Sequence, residues 1–216
     1  MLRSFSTLSI SAVVLVLPVA AQAIPVNGGA SVTEFTNLPA GLNVTGATAF
    51  GQATVLSTSP ITVNQPLTGG DVTNINLGQI NAFASGVNFQ LSGGNTLGLS
   101  NFQTQLDFHN IVGDITYNGG LIGGSVSLFN FKTNSVSLAA FQDVANPTLK
   151  LTIATGLSNA LTAQFGLPST KGSFIGLYAT NPLLGDNGSS IPAPEPTTMA
   201  LFGLSLLGLG ALRRRR

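Results

Sequence analysis

Apolar and polar residues alternate at a period of two in five segments of this chain, and no other feature of the sequence restricts the fold as much. Successive side chains of a β-strand point to opposite faces, so this alternation is typical of antiparallel strands with one face on a core and one in solvent. The surrounding sequence is rich in Thr, Val, Ile and Phe, which favour strands. The chain is therefore predicted to be mainly β. The five segments are residues 30–36, 87–91, 102–108, 125–131 and 149–153.

Pairs of glycines separate these segments and predict turns, and Asn118-Gly119 between residues 111–117 and 121–130 predicts a tight hairpin. The other pairs are Gly69-Gly70, Gly93-Gly94 and Gly123-Gly124. The glycine pairs that begin at residues 69, 93 and 119 are 24 and 26 residues apart, which leaves a β-solenoid open, but the intervening segments share no residue pattern. We therefore expect an antiparallel β-sandwich.

One short helix is predicted near residue 160. Leu157, Leu161 and Phe165 are spaced four apart, as on one face of a helix. Ser158 is a candidate N-cap, and Gly166 is a candidate C-terminal stop.

Charge is scarce and unevenly placed: only 7% of residues are charged, and five of the eight basic residues are Arg3 and Arg213 to Arg216. Residues 24–192 carry three lysines and six acids, a net charge of −3. Nucleic-acid binding requires a basic face, so no nucleic-acid partner is expected. The chain has no cysteine and one histidine, which excludes disulfides, thiol catalysis and a zinc site built on Cys or several His.

Residues 1–23 have the three parts of a secretory signal peptide. Arg3 supplies the positive region, residues 8–17 form a short apolar core, and Ala21 and Ala23 are the small residues that signal peptidase recognises. We expect cleavage after Ala23. The alternative is an uncleaved anchor helix, for which the apolar run is short.

Residues 191–216 combine a proline-rich stretch, an apolar run over 199–212, and the terminal arginines Arg213, Arg214, Arg215 and Arg216. The run spans about 21 Å as a helix, against roughly 30 Å of bilayer hydrocarbon. The arginines favour the cytoplasmic side and form a stop-transfer cluster. This segment predicts a transient transmembrane helix in the inner membrane, and a simple tail anchor is the alternative.

Pro194, Glu195 and Pro196, followed by the short apolar run and the arginines, resemble the PEP-CTERM sorting signal of Gram-negative bacteria. In that family an inner-membrane exosortase, a cysteine-type transpeptidase-like enzyme, recognises the Pro-Glu-Pro segment and removes the tail. The resemblance implies that these three residues are a substrate motif and that an exosortase is a partner. It also implies an exopolysaccharide producer, with the mature protein at the cell surface or in the extracellular matrix. Ala193 stands where the family often has Val.

Two weak candidates for chemistry remain in the sequence. His109 and Asp107 would share one face of a strand and suggest a His–Asp pair, but a strand-end histidine beside a solvated aspartate is the simpler interpretation. Asp186 to Ser189 has part of the pattern of a calcium loop, yet it lacks the alternating acids and terminal Glu. No catalytic residue, metal or cofactor is predicted, with calcium as the one open candidate.

The sequence therefore divides into a signal peptide (1–23), an exported β-rich domain (24–185), a Gly/Ser/Pro linker (186–193) and a sorting segment (194–216). The predicted function is that of a non-enzymatic cell-surface or extracellular-matrix protein associated with exopolysaccharide and biofilm. A glycan-binding module is an alternative, which the scarcity of Tyr and Trp disfavours. A surface hydrolase is a further alternative, disfavoured by the single histidine.

Overall fold

The computed structural model of the chain describes residues 23–74, 76–133 and 138–185. Apart from Ala23, the predicted signal peptide lies outside these residues, as do the linker and the sorting segment. No helix in the described part is long and apolar enough to cross a membrane. Eleven strands occur there: β1 (Ile24–Phe35), β2 (Val44–Phe50), β3 (Thr54–Thr58), β4 (Ile61–Pro66), β5 (Gly69–Asn74), β6 (Leu77–Leu91), β7 (Thr96–Gln105), β8 (Asn110–Tyr117), β9 (Gly120–Asn130), β10 (Leu149–Ile153) and β11 (Phe174–Leu184).

Eight of these strands pair in a closed ring. In the order β1, β5, β6, β7, β8, β9, β10 and β11, each strand is hydrogen bonded antiparallel to the next, and β11 returns to β1. β4 pairs with β1, β3 with β4, and β2 with β6, so these three strands extend the sheet beyond the ring. The predicted mainly antiparallel β-fold is confirmed. The two facing sheets of a sandwich are replaced by one continuous sheet, because the first and last strands pair.

The core fills the inside of this ring. Buried and half-buried residues alternate along β8: Ile111 and Ile115 are buried, whereas Asp114 and Thr116 are half-buried. In this core the aromatic side chains of Phe35 and Phe89 pack edge to face, with their ring centroids 5.0 Å apart. A full burial of each such side chain is worth about 1.5–3 kcal/mol, so the apolar face of the sheet supplies most of the stability.

Two α-helices occur in the described residues, α1 (Leu138–Gln142) and α2 (Thr155–Phe165), where the sequence predicted one. α2 is the predicted helix, and it ends at Gly166 with φ of 64°. Ser158 is not its N-cap: the helix begins a turn earlier, after Ala154, and the buried Ser158 Oγ accepts a hydrogen bond from the Thr170 backbone N–H at 3.1 Å. Leu157 and Leu161 face the core.

The glycine pairs fall into two groups. Asn118-Gly119 forms the predicted tight turn between β8 and β9, with φ of 49° and 81°, and Gly93-Gly94 lies in the turn between β6 and β7. Gly69-Gly70 and Gly123-Gly124 were predicted as turns but lie inside β5 and β9. At Gly70 the reason is close approach, since a Cβ there would overlap the carbonyl oxygen of Gln79 on β6.

Candidate functional site

The two ends of the β-domain leave the ring side by side. Val26 near the start of β1 pairs with Leu184 at the end of β11, and the Gly185 N–H donates to the Pro25 carbonyl at 2.7 Å. Ala23, the residue before the expected signal-peptidase cleavage, is exposed and directly precedes β1. The expected cleavage point and the start of the linker therefore lie at the same end of the ring, which we call the exit end.

The remaining sequence-predicted site residues lie outside the described residues. They comprise the sorting motif, the stop-transfer cluster, the other signal-peptidase residue and the candidate calcium segment: Pro194, Glu195, Pro196, Arg213, Arg214, Arg215, Arg216, Ala21 and residues 186–189. The structure does show where the linker begins, because residue 186 directly follows Gly185, whose N–H is hydrogen bonded to the Pro25 carbonyl. Eight linker residues then reach at most about 26–29 Å to Pro194.

His109 does not form the predicted pair with Asp107. β7 ends at Gln105, so both residues lie in the turn before β8 and not on one strand face. The His109 Nε2 lies 3.0 Å from Thr133 Oγ1, and that hydroxyl donates to Asn76 Oδ1 at 2.6 Å. Since a hydroxyl has a single proton, His109 Nε2 is the donor to Thr133. The imidazole therefore ties three loop segments together rather than acting as a base toward Thr133.

A row of polar groups that the sequence did not reveal crosses four neighbouring strands. Asn101 Oδ1 accepts from the Ala84 N–H at 2.9 Å, and its Nδ2 donates to Asp114 Oδ2 at 2.7 Å. Asp114 Oδ1 accepts from the Ser125 N–H at 2.7 Å. Ala84, Asn101 and Ser125 have φ of 55°, 52° and 49°, and each strand pairing shifts register at this row. Aligned β-bulges of this kind bend a sheet, which helps the ring to close.

Asp114 is expected to be the residue on which this row depends. Replacing it by alanine removes two hydrogen bonds to a charged group, and we expect the free energy of unfolding to fall by about 2–3 kcal/mol. Asp114→Asn keeps one acceptor oxygen, so its free energy of unfolding is expected to fall by about half as much as that of Asp114→Ala. Asp107→Ala, at an exposed carboxylate, is the control and should stay within about 0.5 kcal/mol of the parent. Urea unfolding measures all three, and equal midpoints for Asp107→Ala and Asp114→Ala would contradict the assignment.

Polar side chains also occupy part of the ring's interior. Ser31, Thr33 and Thr104 are all at most 3% exposed, and the Tyr178 hydroxyl lies 2.8 Å from Thr104 Oγ1. Burial raises the pKa of Tyr178 above its ordinary value of 10.0, although the hydrogen bond with Thr104 acts in the opposite direction. The interior around these side chains leaves no space that a water molecule could enter.

Tyr178 is expected to make the domain sensitive to alkali. Because its folded pKa is raised, the folded state holds the phenol proton at a pH where the unfolded chain releases it, so stability is full below pH 10 and falls as the pH rises further. The loss approaches about 1.4 kcal/mol per pH unit. Tyr178→Phe should lower stability at pH 8, where it removes the bond to Thr104, and flatten the alkaline loss. Tyr117→Phe, at a half-buried tyrosine, is the control and should keep the full alkaline loss of stability. Urea midpoints measured from pH 8 to 11 compare the two variants, and an equal alkaline loss in both would contradict the role of Tyr178.

The described residues offer little space for a small ligand. An apolar space beside α2, lined by Leu42, Phe89 and Leu161 among others, measures about 10 Å³. Small-molecule pockets measure about 300–1,000 Å³. Within the same residues no group of three or more His, Cys, Asp or Glu side chains is arranged to hold a metal ion.

Comparison with known proteins identifies the C-terminal segment. The PEP-CTERM protein-sorting motif family matches residues 192–216 and no part of the β-domain. No curated protein and no solved structure matches the chain. The chain thus carries a PEP-CTERM sorting motif, which confirms the predicted resemblance. The motif implies export, transient membrane anchoring and cleavage by an exosortase, a membrane protease, consistent with a cell-surface or extracellular location.

Proposed function

We propose that the mature chain is a non-enzymatic protein of the cell surface or extracellular matrix, held among exopolysaccharide after its tail is removed. The observation that carries this proposal is the sorting motif at residues 192–216, placed directly after a β-domain that closes on its own last strand. In this proposal the domain is the cargo, and the segments that flank it direct its export and anchoring.

The surface of the domain supports a role among neutral polysaccharides. Asn81, Gln103 and Gln105 form a hydrogen-bonded row on neighbouring strands: Gln103 Nε2 donates to Asn81 Oδ1 at 3.2 Å, and Gln105 Nε2 donates to Gln103 Oε1 at 2.9 Å. All three are only half-buried, whereas Thr104 between the glutamines faces the interior. Amides both donate and accept, so such an amide row suits the hydroxyl groups of a polysaccharide without needing charge.

Two structural facts support the non-enzymatic part of the proposal. His109 donates to Thr133 and lies in a turn with its neighbour Asp107 exposed. The interior of the ring is filled by Ser31, Thr33 and Thr104 and by the apolar core. Activation of a nucleophile requires a base within hydrogen-bond reach and a cavity for substrate. In this proposal His109 and the side chains inside the ring serve the packing of the fold instead.

The proposal is tested by deletion and fractionation in the producing bacterium. Deleting the gene should weaken the cohesion of the matrix, and restoring the wild-type gene should recover it. The mature protein should fractionate with the cell surface and matrix polysaccharide. Unchanged cohesion together with a protein found only in the periplasm would contradict the proposal.

A glycan-binding module is the second candidate, and the amide row is the observation that favours it. This candidate predicts saturable co-sedimentation of the protein with purified exopolysaccharide. An Asn81→Ala, Gln103→Ala, Gln105→Ala triple variant should lose that binding. Thr54→Ala with Thr58→Ala, at exposed positions of β3, serves as the control and should bind normally. Binding that never saturates, and that the triple variant retains, would favour a general matrix role over a specific glycan site.

A further inference from the structure

Four large apolar side chains are exposed at the exit end of the ring, and we call them the apolar rim. Leu77, Phe108, Leu183 and Leu184 are 48%, 69%, 61% and 42% exposed. Burying any of them would remove apolar surface from water, which is favourable. Their position matters more than their number, because apolar side chains are exposed elsewhere on the domain as well.

Strand pairing places the four residues of the rim at one end of the ring. Leu183 and Leu184 end β11 beside the start of β1, and Ile24 on β1 pairs with Val72 on β5. Val72 in turn pairs with Gly78, the residue after Leu77. The Leu106 N–H donates to the Gly78 carbonyl, which brings the turn that contains Phe108 next to Leu77. The rim is thus an arc that runs from the end of β11, across the starts of β1 and β6, to the β7–β8 turn.

The C-terminal segment continues from this same end of the ring, because β11 ends there beside the start of β1. Thirteen residues separate Gly185 from Met199, where the apolar run of the sorting segment begins, and they reach at most about 43–47 Å. A short tether of this kind gives an effective concentration in the millimolar range, so a weak contact is enough to be populated. The opposite end of the ring lies one strand length away along β7, whose ten residues span about 33 Å.

Charge indicates what kind of surface the rim suits. Exposed charged residues on the segments at this end include Lys132, Lys150, Asp71, Asp107 and Asp143, so the area carries a slight negative charge. Electrostatic attraction to anionic lipids needs a basic cluster, which these segments lack. Contact with a bilayer at this end would depend on apolar side chains entering the interface.

We propose that the apolar rim rests on the lipid surface of the membrane that holds the C-terminal segment, and that it leaves that surface once the tail is cut. The inference rests on the anchoring that the sorting motif implies. While the tether is intact, the high effective concentration keeps the rim on the bilayer. After cleavage the contact is bimolecular and too weak to persist, so processing releases the domain from the membrane as well as from its anchor.

The test uses the full chain in vesicles of phosphatidylethanolamine and phosphatidylglycerol that contain brominated lipid. The chain has no cysteine, so Asp107→Cys and Ser92→Cys each give a single labelling site, in exposed turns at the two ends of β7. A fluorescent probe at residue 107 should be quenched severalfold more than one at residue 92. Replacing Leu77 and Phe108 by serine should reduce quenching at 107 to the level at 92. Replacing Leu121 and Ile122, exposed on β9 toward the opposite end, should leave it unchanged.

The outcomes separate this inference from the proposed function. If the chain floats with the vesicles but the probes at residues 107 and 92 are quenched equally, the rim does not rest on lipid, although anchoring stands. If the chain does not float, anchoring and the inference both fail. Quenching at 107 that depends on protein density and not on bromine would show that a second copy covers the rim, which also overturns the proposal. Circular dichroism melts of the serine variants confirm that they are folded before they are compared.

Discussion

Replacing Gly176 by alanine is expected to open the ring and unfold the domain. Gly176 pairs with Phe35 on β1 and with Leu151 on β10, so it lies where the last strand joins both neighbours. A Cβ at this position would overlap the backbone carbonyl oxygen of Glu34, and backbone cannot yield without breaking the pairing of β1 with β11. We expect a loss of more than about 4 kcal/mol, from a total that is typically 5–15 kcal/mol.

The matched control for this substitution is Gly46→Ala. Gly46 lies on β2, outside the ring, and a Cβ there would meet open space. This change should leave stability within about 0.5 kcal/mol of the parent or raise it slightly, because alanine restricts the unfolded chain. Urea unfolding followed by circular dichroism compares the two variants. Similar midpoints for Gly176→Ala and the parent would mean that the ring does not depend on its closure by β11.

Closure by the last strand has a consequence for export. β1 begins at Ile24 and β11 ends at Leu184, yet these strands pair along most of their length and bury Ile175, Tyr178 and Ala179. Contacts that distant in sequence form late, because the loop between them must be closed first. The ring is therefore complete only after β11 has been exported. That point falls just before the linker and sorting segment follow, so folding and engagement of the membrane anchor are expected to occur close together in time.

The sequence predicted those parts of the fold that depend on local backbone chemistry. Asn118-Gly119 forms the predicted hairpin because the tight turn requires positive φ at two residues, which Asn and Gly adopt readily. Gly166 ends α2 because it also adopts positive φ. The predicted strand over 149–153 matches β10. Strand 102–108 was predicted too long, because the chain turns after Gln105. In that case the alternation continued past the strand into the turn, and only tertiary pairing shows where β7 ends.

The sequence could not predict features that arise from pairing around the ring. Ser31 and Thr33 fit the polar half of an alternating strand, yet they lie inside, and Val32 on the other face of β1 is also buried. When both faces of a strand are covered, neither face is in solvent, so polar and apolar alternation does not indicate which side chains lie inside. Asn101 and Asp114 likewise appear in the sequence as ordinary strand residues, and they meet only because three register shifts align. The sorting motif, in contrast, is a linear signal, so sequence alone was sufficient to find it.

Replacing Glu195 by alanine is expected to block removal of the C-terminal tail. Pro194, Glu195 and Pro196 are the predicted substrate motif of the exosortase, and the glutamate is its only charged side chain. The two prolines predict an extended substrate segment, because proline fixes its own φ and disfavours the helical region for the residue before it. Without the carboxylate the protein should accumulate in the membrane fraction with its tail attached, and the matrix fraction should lose most of it. Immunoblots of both fractions measure the change.

The control for this prediction is Asn187→Ala, in the linker before the motif. It changes a polar residue of the same exported tail but leaves all three motif residues, so its processing should equal that of the parent. A strain that lacks the exosortase should reproduce the Glu195→Ala phenotype with the unaltered chain, because enzyme and motif act in one step. If Glu195→Ala were processed normally while the enzyme-deficient strain accumulated the precursor, recognition would reside in the apolar run and arginines. If neither change affected removal of the tail, another protease would cleave it, and the assignment of Glu195 to exosortase recognition would be wrong.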